Sequence, residues 1–272
     1  MLLILGYLLI SLAAVSLYSL AAGFVLWRSV LLFLACFILG NAVTVLFFWI
    51  CALFIDAEKP LERQSRMCRI GCRAIGSIAA VYGGLRVHLT GMERLPEGER
   101  FLLVCNHRSG LDPLAVLWKL WRYNISFVSK PSNMRLPFLG RIAYAAGFLP
   151  IDRENDRSAL KTILTAADYM KRGICSVGIY PEGTRSKTGE LGDFHAGSFK
   201  IAQRAGAPVV IACIRGTEQA LARLPRRTDV FLDFLEILPP ETVREKTTAE
   251  LAAYSRALIA EHLQRKQEGE TE

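Results

Sequence analysis

The chain has 272 residues, enough for one substantial hydrophobic core and a small additional module but too few for two full domains. Its net charge of +8 comes without a finger or RNA-binding motif, which excludes nucleic acid as the expected partner and favours anionic lipid headgroups and phosphorylated substrates. Apolar residues make up 52 per cent of the chain, which is high for a soluble protein and needs a local explanation.

The N-terminus supplies that explanation. Between Met1 and Ile55 the only charged side chain is Arg28, so two uncharged stretches follow each other, each longer than the roughly 20 residues that span a bilayer. Gly23 and Arg28 fall where a tight connection would lie, and an arginine belongs at a membrane interface. Residues 1–55 therefore predict a transmembrane helical hairpin. A cleaved signal peptide is the alternative, but the start lacks a basic region and the apolar run is too long.

A basic segment follows at residues 56–86. The positive side chains nearest the hairpin are Lys59, Arg63, Arg66, Arg69 and Arg73. The positive-inside rule places this flank, and the long remainder of the chain, on the cytoplasmic side of a cell membrane. On a helix the four arginines would share one face, which predicts a basic amphipathic segment lying at the membrane interface. An ordinary solvated helix face packed on the domain remains the alternative.

The seven cysteines are an odd number without a C-x-x-C pair, which fits reduced thiols in a cytosolic compartment. Cys68 and Cys72 have helical spacing, yet no second pair or suitable histidine completes a zinc site. We expect no metal and no other cofactor.

The remainder, residues 87–266, reads as alternating strands and helices and predicts a single α/β domain. The expected strands cover residues 101–105, 125–129, 174–180, 208–215 and 229–237, and the expected helices cover 113–121, 157–172, 198–205 and 247–264. Thr247 and Glu250 form a capping box at the start of the last helix. Residues 267–272 are expected to be a frayed tail.

The stretch FLLVCNHRSGLDP, residues 101–113, carries the first candidate site. A helix would separate His107 and Asp112 by about 140 degrees, so a turn has to bring them together. Pro113 favours a helix start here with Asp112 as N-cap, and the same carboxylate could face the imidazole. A carboxylate on one ring nitrogen leaves the other free to act as a general base. Asp112 as a simple helix cap is the structural alternative.

Two further segments carry arginines. YPEGTRS, residues 180–186, follows a predicted strand, and its glycine, hydroxyls and Arg185 could clamp a phosphate, although a solvated surface turn has the same composition. GFLPIDR, residues 147–153, delivers Asp152 and Arg153 to a strand end, where a surface ion pair is the alternative.

Taken together, the segments resemble the lysophosphatidic acid acyltransferases, the glycerolipid acyltransferases with an NHx4D motif. NHRSGLDP, GFLPIDR, PEGTRS and APVVIACIR match the family's four motifs in order, and the resemblance covers residues 95–215. It implies a glycerolipid-acyltransferase-like domain with a mixed sheet flanked by helices, preceded by the membrane hairpin.

The resemblance also implies an activity, which is transfer of a fatty acyl group from acyl-CoA or acyl carrier protein to the sn-2 hydroxyl of 1-acyl-sn-glycerol 3-phosphate, forming phosphatidic acid. It assigns catalysis to His107 and Asp112, and substrate binding to Lys130, Arg153, Glu182, Gly183, Thr184 and Arg185. Membrane lipids would then be partners, and nucleic acid would not. Three alternatives remain: a Cys105 nucleophile, acylation of another lysolipid such as a lyso-ornithine lipid, and a non-catalytic lipid-binding protein.

Overall fold

The computed structural model describes residues 2–57, 59, 61–186 and 190–268, and in this part of the chain it contains ten α-helices and seven strands, with short 3₁₀ turns between them. The helices are α1 Leu2–Ala22, α2 Leu26–Leu53, α3 Arg66–Tyr82, α4 Asp112–Lys119, α5 Pro131–Met134, α6 Leu139–Ala145, α7 Asp156–Lys171, α8 Lys200–Ala205, α9 Pro240–Glu245 and α10 Thr248–Glu268. The strands are β1 Leu85–Thr90, β2 Leu102–Cys105, β3 Ile125–Ser129, β4 Leu149–Pro150, β5 Ser176–Ile179, β6 Val209–Arg215 and β7 Thr228–Leu238.

The two N-terminal helices have the length and apolar composition of membrane spans. Their 21 and 28 residues correspond to about 32 and 42 Å of helix, at least the thickness of a hydrocarbon core. A three-residue connection joins them, and Gly23 there has φ +79°, a conformation that glycine adopts without a Cβ penalty. Arg28 lies in the first turn of α2, next to this connection.

Helix α3 carries the basic face, but it is shorter at its start than the arginine spacing predicts. Ser65 is the N-cap, and its hydroxyl accepts a hydrogen bond from Cys68 N–H (3.3 Å). Arg63 precedes this cap and therefore does not share the helix face of Arg66, Arg69 and Arg73. The cap ends the irregular stretch that leaves the hairpin.

The seven strands form one mixed sheet in the order β1-β7-β6-β2-β5-β3-β4. All neighbouring pairs are parallel except β6 and β7, which are antiparallel. The α/β expectation with a mixed sheet flanked by helices is confirmed. Because the carboxyl ends of β2, β3, β5 and β6 lie at one edge, the segments that follow these strands converge there.

The sheet is covered on both faces, as parallel sheets require. Alternating residues of each central strand point to opposite layers, so Leu102 and Val104 pack towards α7, α8 and α10, whereas Leu103 and Cys105 pack towards α3 and α4. Both layers are apolar, and at about 25 cal/mol per Å² this burial is the main favourable term in folding.

The hairpin is joined to the domain by packing and hydrogen bonds rather than by a free linker. Ala52 at the end of α2 lies in an apolar cluster with Cys68 of α3 and Ile142 of α6. The Gln64 amide donates to Ser126 Oγ (2.9 Å) and to the Ala146 carbonyl (2.6 Å), which ties the connecting segment to the sheet. We refer to these contacts as the hairpin joint.

Several boundaries differ from the sequence prediction: the strand expected at 174–180 is β5, and the helix expected at 113–121 is α4. Two further differences change an assignment. Strand β1 begins at Leu85, inside the segment expected to be helical and interfacial, because residues 85–90 pair in parallel with residues 228–233 of β7. Helix α10 continues to Glu268, beyond the expected start of a frayed tail, and residues 269–272 of that tail lie outside the described residues.

Candidate active site

The site begins where β2 ends. Asn106 is buried, and its side chain makes two hydrogen bonds to the backbone of Ile214 in β6, donating to the carbonyl (2.9 Å) and accepting from the N–H (2.8 Å). This amide holds the strand end against its neighbour. His107 therefore leaves the sheet from a fixed position.

His107 and Asp112 are in direct contact across the turn. His107 Nδ1 lies 2.8 Å from Asp112 Oδ2, with the imidazole 17 per cent exposed and the carboxylate fully buried. The carboxylate also accepts backbone N–H bonds from Arg108 (2.7 Å) and Ser109 (2.8 Å), and the Thr217 hydroxyl donates to its other oxygen. A buried charge needs this many partners. Because Nδ1 is engaged, Nε2 is the nitrogen left to exchange a proton.

The expectation that Asp112 is the N-cap of the following helix is wrong. Leu111 occupies the cap position, where its carbonyl accepts the Ala115 N–H (2.9 Å), and Asp112 is the first helical residue. Its carboxylate turns back to the loop before the helix, because the imidazole, two loop N–H groups and Thr217 all bind it. Asp112 therefore organises the turn rather than the helix end.

Glu182 links this turn to the segment after β5. One carboxylate oxygen accepts the His107 N–H (2.6 Å) and the other accepts the Gly192 N–H (2.9 Å), while the Ser186 N–H donates to the His107 carbonyl (3.1 Å). Glu182 is thus turned inward and buried, holding two loops together. A substrate contact was the expectation for it, and its carboxylate is instead occupied by backbone groups.

A cavity of about 490 Å³ opens beside His107 at the carboxyl edge of the sheet. Six of the eight predicted site residues line it: His107, Lys130, Arg153, Gly183, Thr184 and Arg185. Asp112 lies behind the imidazole and Glu182 behind the loop. The opposite part of the cavity is apolar, with Ile75 of α3, Leu117 of α4 and Ile142 of α6. The cavity is amphipathic, like a lipid with an anionic headgroup.

Beside the cations of the cavity, the Gly183 backbone packs closely against His195 and Arg153. Gly183 has φ +74°, and a Cβ there would lie 3.1 Å from the His195 ring and 3.6 Å from Arg153 Cδ. Partial burial lowers the pKa of the Arg153 guanidinium. Arg185 lies over the turn between His107 and Asp112, since a Cβ at Gly110 would be 3.7 Å from its Nη1. Asp152 accepts the Glu154 N–H (3.2 Å), while Arg153 faces the cavity.

Cys105 does not have the environment of a nucleophile. The thiol is buried, and burial raises its pKa well above the ordinary value, with further contributions from nearby Cys213 and Asp112. A thiol held protonated is a poor nucleophile.

Within the described residues, no group of three His, Cys, Asp or Glu side chains could hold a metal ion.

Comparisons with known proteins find matches to acyltransferases. The family model described as "Acyltransferase" matches residues 86–215, the stretch that contains the cavity's charged residues. Residues 86–215 belong to the acyltransferase family. Curated relatives bear the name 1-acyl-sn-glycerol-3-phosphate acyltransferase: a chloroplastic protein of Brassica napus is 34% identical over 51% of this chain, and a Salmonella typhimurium protein is 31% identical over 60% of it.

The chain spans only part of the length of these two relatives, 40% and 66% respectively. Among solved structures, the 1-acyl-sn-glycerophosphate acyltransferase PlsC of Thermotoga maritima aligns over 81% of this chain and 87% of its own, with a TM-score of 0.62. At 23% identity this likeness establishes a common fold.

Three residues around His107 and Asp112 have no role predicted from the sequence. Tyr180 stacks on the His107 ring (centroids 4.2 Å apart, 16° between planes), Thr217 binds Asp112, and Asn106 holds the end of β2. The sequence does contain a signal for Tyr180, which is its position directly before the PEGTRS segment. A residue at the end of β5 lies at the same edge of the sheet as His107 at the end of β2. Thr217 lies 105 positions from Asp112, and no local pattern points to it.

Proposed function

We propose that the protein transfers a fatty acyl group from an acyl thioester to the sn-2 hydroxyl of 1-acyl-sn-glycerol 3-phosphate, forming phosphatidic acid. The acyl donor is acyl-CoA or acyl carrier protein. The observation that carries the proposal is the His107–Asp112 pair, 2.8 Å apart, at the wall of a cavity with cations at one end and apolar side chains at the other. The names of the relatives support this choice of acceptor.

His107 is the general base of the proposed reaction. Nε2 takes the proton of the sn-2 hydroxyl as that oxygen forms a bond to the thioester carbonyl carbon. The carbon–sulfur bond then breaks, and the same proton passes to the departing thiolate. An ester and a thiol result, with no net uptake of protons or electrons.

Asp112 acts on this step through the imidazole. Its charge stabilises the imidazolium that forms during attack, and its hydrogen bond keeps the Nδ1–H tautomer and the ring orientation. Glu182 positions the same histidine from the backbone side through the His107 N–H. Tyr180 stacks on the face of the ring, so Asp112, Glu182 and Tyr180 together restrain the base.

The cavity's cations hold the acceptor in this proposal. Arg153 and Arg185 bind the phosphate, with Lys130 adding charge and Gly183 and Thr184 shaping the loop beside it. The acyl chains of a lipid acceptor occupy the apolar part. The hairpin of α1 and α2 crosses the membrane, and the basic flank after it keeps the domain on the cytoplasmic side.

The test is an assay of the purified full-length protein in detergent, crossing lysophosphatidic acid and other lysolipids with acyl-CoA and acyl carrier protein donors. We expect labelled acyl groups to enter phosphatidic acid at a higher kcat/KM than any other product. A preference for a lysolipid without a phosphomonoester would refute the acceptor assignment.

Replacing Arg185 with lysine tests the phosphate contact. Lysine keeps the charge but loses the bidentate geometry, and a charge-assisted hydrogen bond is worth about 1.5–3 kcal/mol. We therefore expect the KM for lysophosphatidic acid to rise by about tenfold or more, with the donor KM changing less than about twofold. Steady-state kinetics with each substrate varied would measure this. Arg157→Lys, on the exposed first turn of α7, is the matched control. Equal effects on both substrates would argue against the contact.

Replacing Cys105 with alanine separates the base mechanism from a thiol mechanism. Because the buried thiol is held protonated, we expect kcat within about threefold of the wild type, with a small loss of stability from the vacated volume. Turnover and thermal unfolding measured on the same preparation would check this. Loss of all turnover by a folded variant would instead favour a covalent acyl-cysteine.

A further inference from the structure

A second cavity, of about 330 Å³, lies beside the active site between α3 and the end of α4. Its charged lining consists of Arg66, Arg69 and Arg73, and its floor is apolar, with Leu120 and Ile125. It shares only Cys72, Leu117 and Phe148 with the cavity at His107, and none of that cavity's charged residues. The two cavities are therefore neighbours with separate cations.

The three arginines carry positive charge that nearby carboxylates do not neutralise. Their spacing places all of them on one face of α3. Within the part of the chain that the structure describes, none of them forms an ion pair. Burial lowers the pKa of Arg69, and the neighbouring positive charge of Arg100 lowers it further. An anion in this cavity would relieve that repulsion.

The rim has the composition of a membrane interface. The Arg73 guanidinium lies 4.1 Å from the centre of the Trp121 ring, and Arg122 approaches the same ring at 5.6 Å. Trp121 is 44% exposed and Ile70, on the arginine face of α3, is 63% exposed. Tryptophan and arginine with exposed aliphatic side chains are the residues that occupy the headgroup region of a bilayer.

Helix α3, which carries the arginines of this cavity, packs against the end of α2. The Gly71 backbone lies against the Phe48 ring of α2, where an added Cβ would come within 2.7 Å, and Cys51 Sγ lies 3.9 Å from Met67 Sδ. These contacts bring the first two turns of α3 beside the last two turns of α2. Because α2 has the length and composition of a membrane span, a bilayer around it would bring its lipid phosphates close to these arginines.

We propose that the cavity of Arg66, Arg69 and Arg73 binds the phosphate headgroup of an anionic phospholipid of the surrounding membrane. Trp121 lies beside its glycerol backbone, and the apolar floor takes the adjoining methylene groups. This lipid is distinct from the acceptor in the cavity at His107. Its binding makes the protein's attachment to the bilayer selective for anionic lipid.

The test is native mass spectrometry of the full-length protein in non-ionic detergent, titrated with dioleoylphosphatidylglycerol or dioleoylphosphatidylcholine. We expect one phosphatidylglycerol to bind at least tenfold more tightly than phosphatidylcholine. The double variant Arg69→Gln with Arg73→Gln should lose this difference, while Arg204→Gln, an exposed arginine of α8, should keep it. Equal affinity for the two lipids in the wild type, or unchanged selectivity in a folded double variant, would overturn the proposal.

Two further binding measurements identify the ligand. Glycerol 1-phosphate at millimolar concentration should not displace the lipid, and displacement would show a site for free phosphate compounds instead. Coenzyme A bound by lipid-free protein and lost in the double variant would overturn the lipid assignment. Because bound mass is measured rather than turnover, His107→Ala protein should retain the same lipid, so the outcome does not depend on the proposed reaction.

Discussion

His107→Ala should reduce acyl incorporation into phosphatidic acid by about 10² to 10⁴-fold, the usual contribution of a positioned general base. The loss should appear in kcat, because the phosphate contacts and the apolar part of the cavity remain. Radiolabelled acyl transfer by the purified protein, measured under single-turnover conditions, would report the chemical step directly.

The matched control is His88→Ala. His88 also contacts an aspartate, with its Nε2 2.7 Å from Asp229, but it lies half-exposed on edge strand β1. We expect this variant to keep full turnover. Because removal of the His107 ring also removes the stack on Tyr180, His107→Gln and thermal unfolding of each variant check that the fold survives. Wild-type turnover by either His107 variant would contradict the assignment of the base.

Asp112→Asn is expected to give the second largest effect, a fall in kcat of about 10² to 10³-fold within the range of general acid–base catalysis. An asparagine oxygen in the place of Oδ2 can still accept from His107 Nδ1 and from the Arg108 and Ser109 N–H groups. The turn is therefore retained, but the charge that stabilises the imidazolium is lost. Substrate KM values should change little.

Asp112→Ala provides the contrast. It leaves two loop N–H groups and the Thr217 hydroxyl without a buried acceptor, at about 1–3 kcal/mol for each unsatisfied group. We expect a clear drop in the unfolding midpoint for Asp112→Ala and a small one for Asp112→Asn. A wild-type kcat for Asp112→Asn together with a lowered melting temperature for Asp112→Ala would mean that the carboxylate has only a structural role.

The central strands were predictable from the sequence because each is a short apolar run bounded by turn residues. Residues 101–105, 125–129 and 208–215 agree with β2, β3 and β6 to within one residue at each end. The proximity of His107 and Asp112 was also predictable, since a continuous helix would hold the two side chains about 140 degrees apart and Pro113 favours a helix start just after the turn.

What escaped prediction depends on contacts between distant segments. Strand β1 contains Arg86 and His88 on an edge and resembles a continuation of the basic segment, and only its pairing with β7 establishes it as a strand. Asp112 leaves the cap position because it binds Thr217, 105 residues away. The buried carboxylate of Glu182 accepts hydrogen bonds from the backbone N–H groups of His107 and Gly192, which are separated from it in sequence. Local patterns do not contain these partners.

The hairpin joint fixes the two apolar helices to the domain that carries the cavity at His107. Helix α2 is about 42 Å long, whereas a hydrocarbon core is about 30 Å, so a span of this length adapts by tilting or by projecting from the membrane. Gln64 bound to Ser126 and Ala52 packed on Ile142 couple the tilt of α2 to the orientation of the domain. Under the proposed function, a thinner membrane would therefore tilt the cavity at His107 relative to the lipid surface and change how readily a lysolipid enters it.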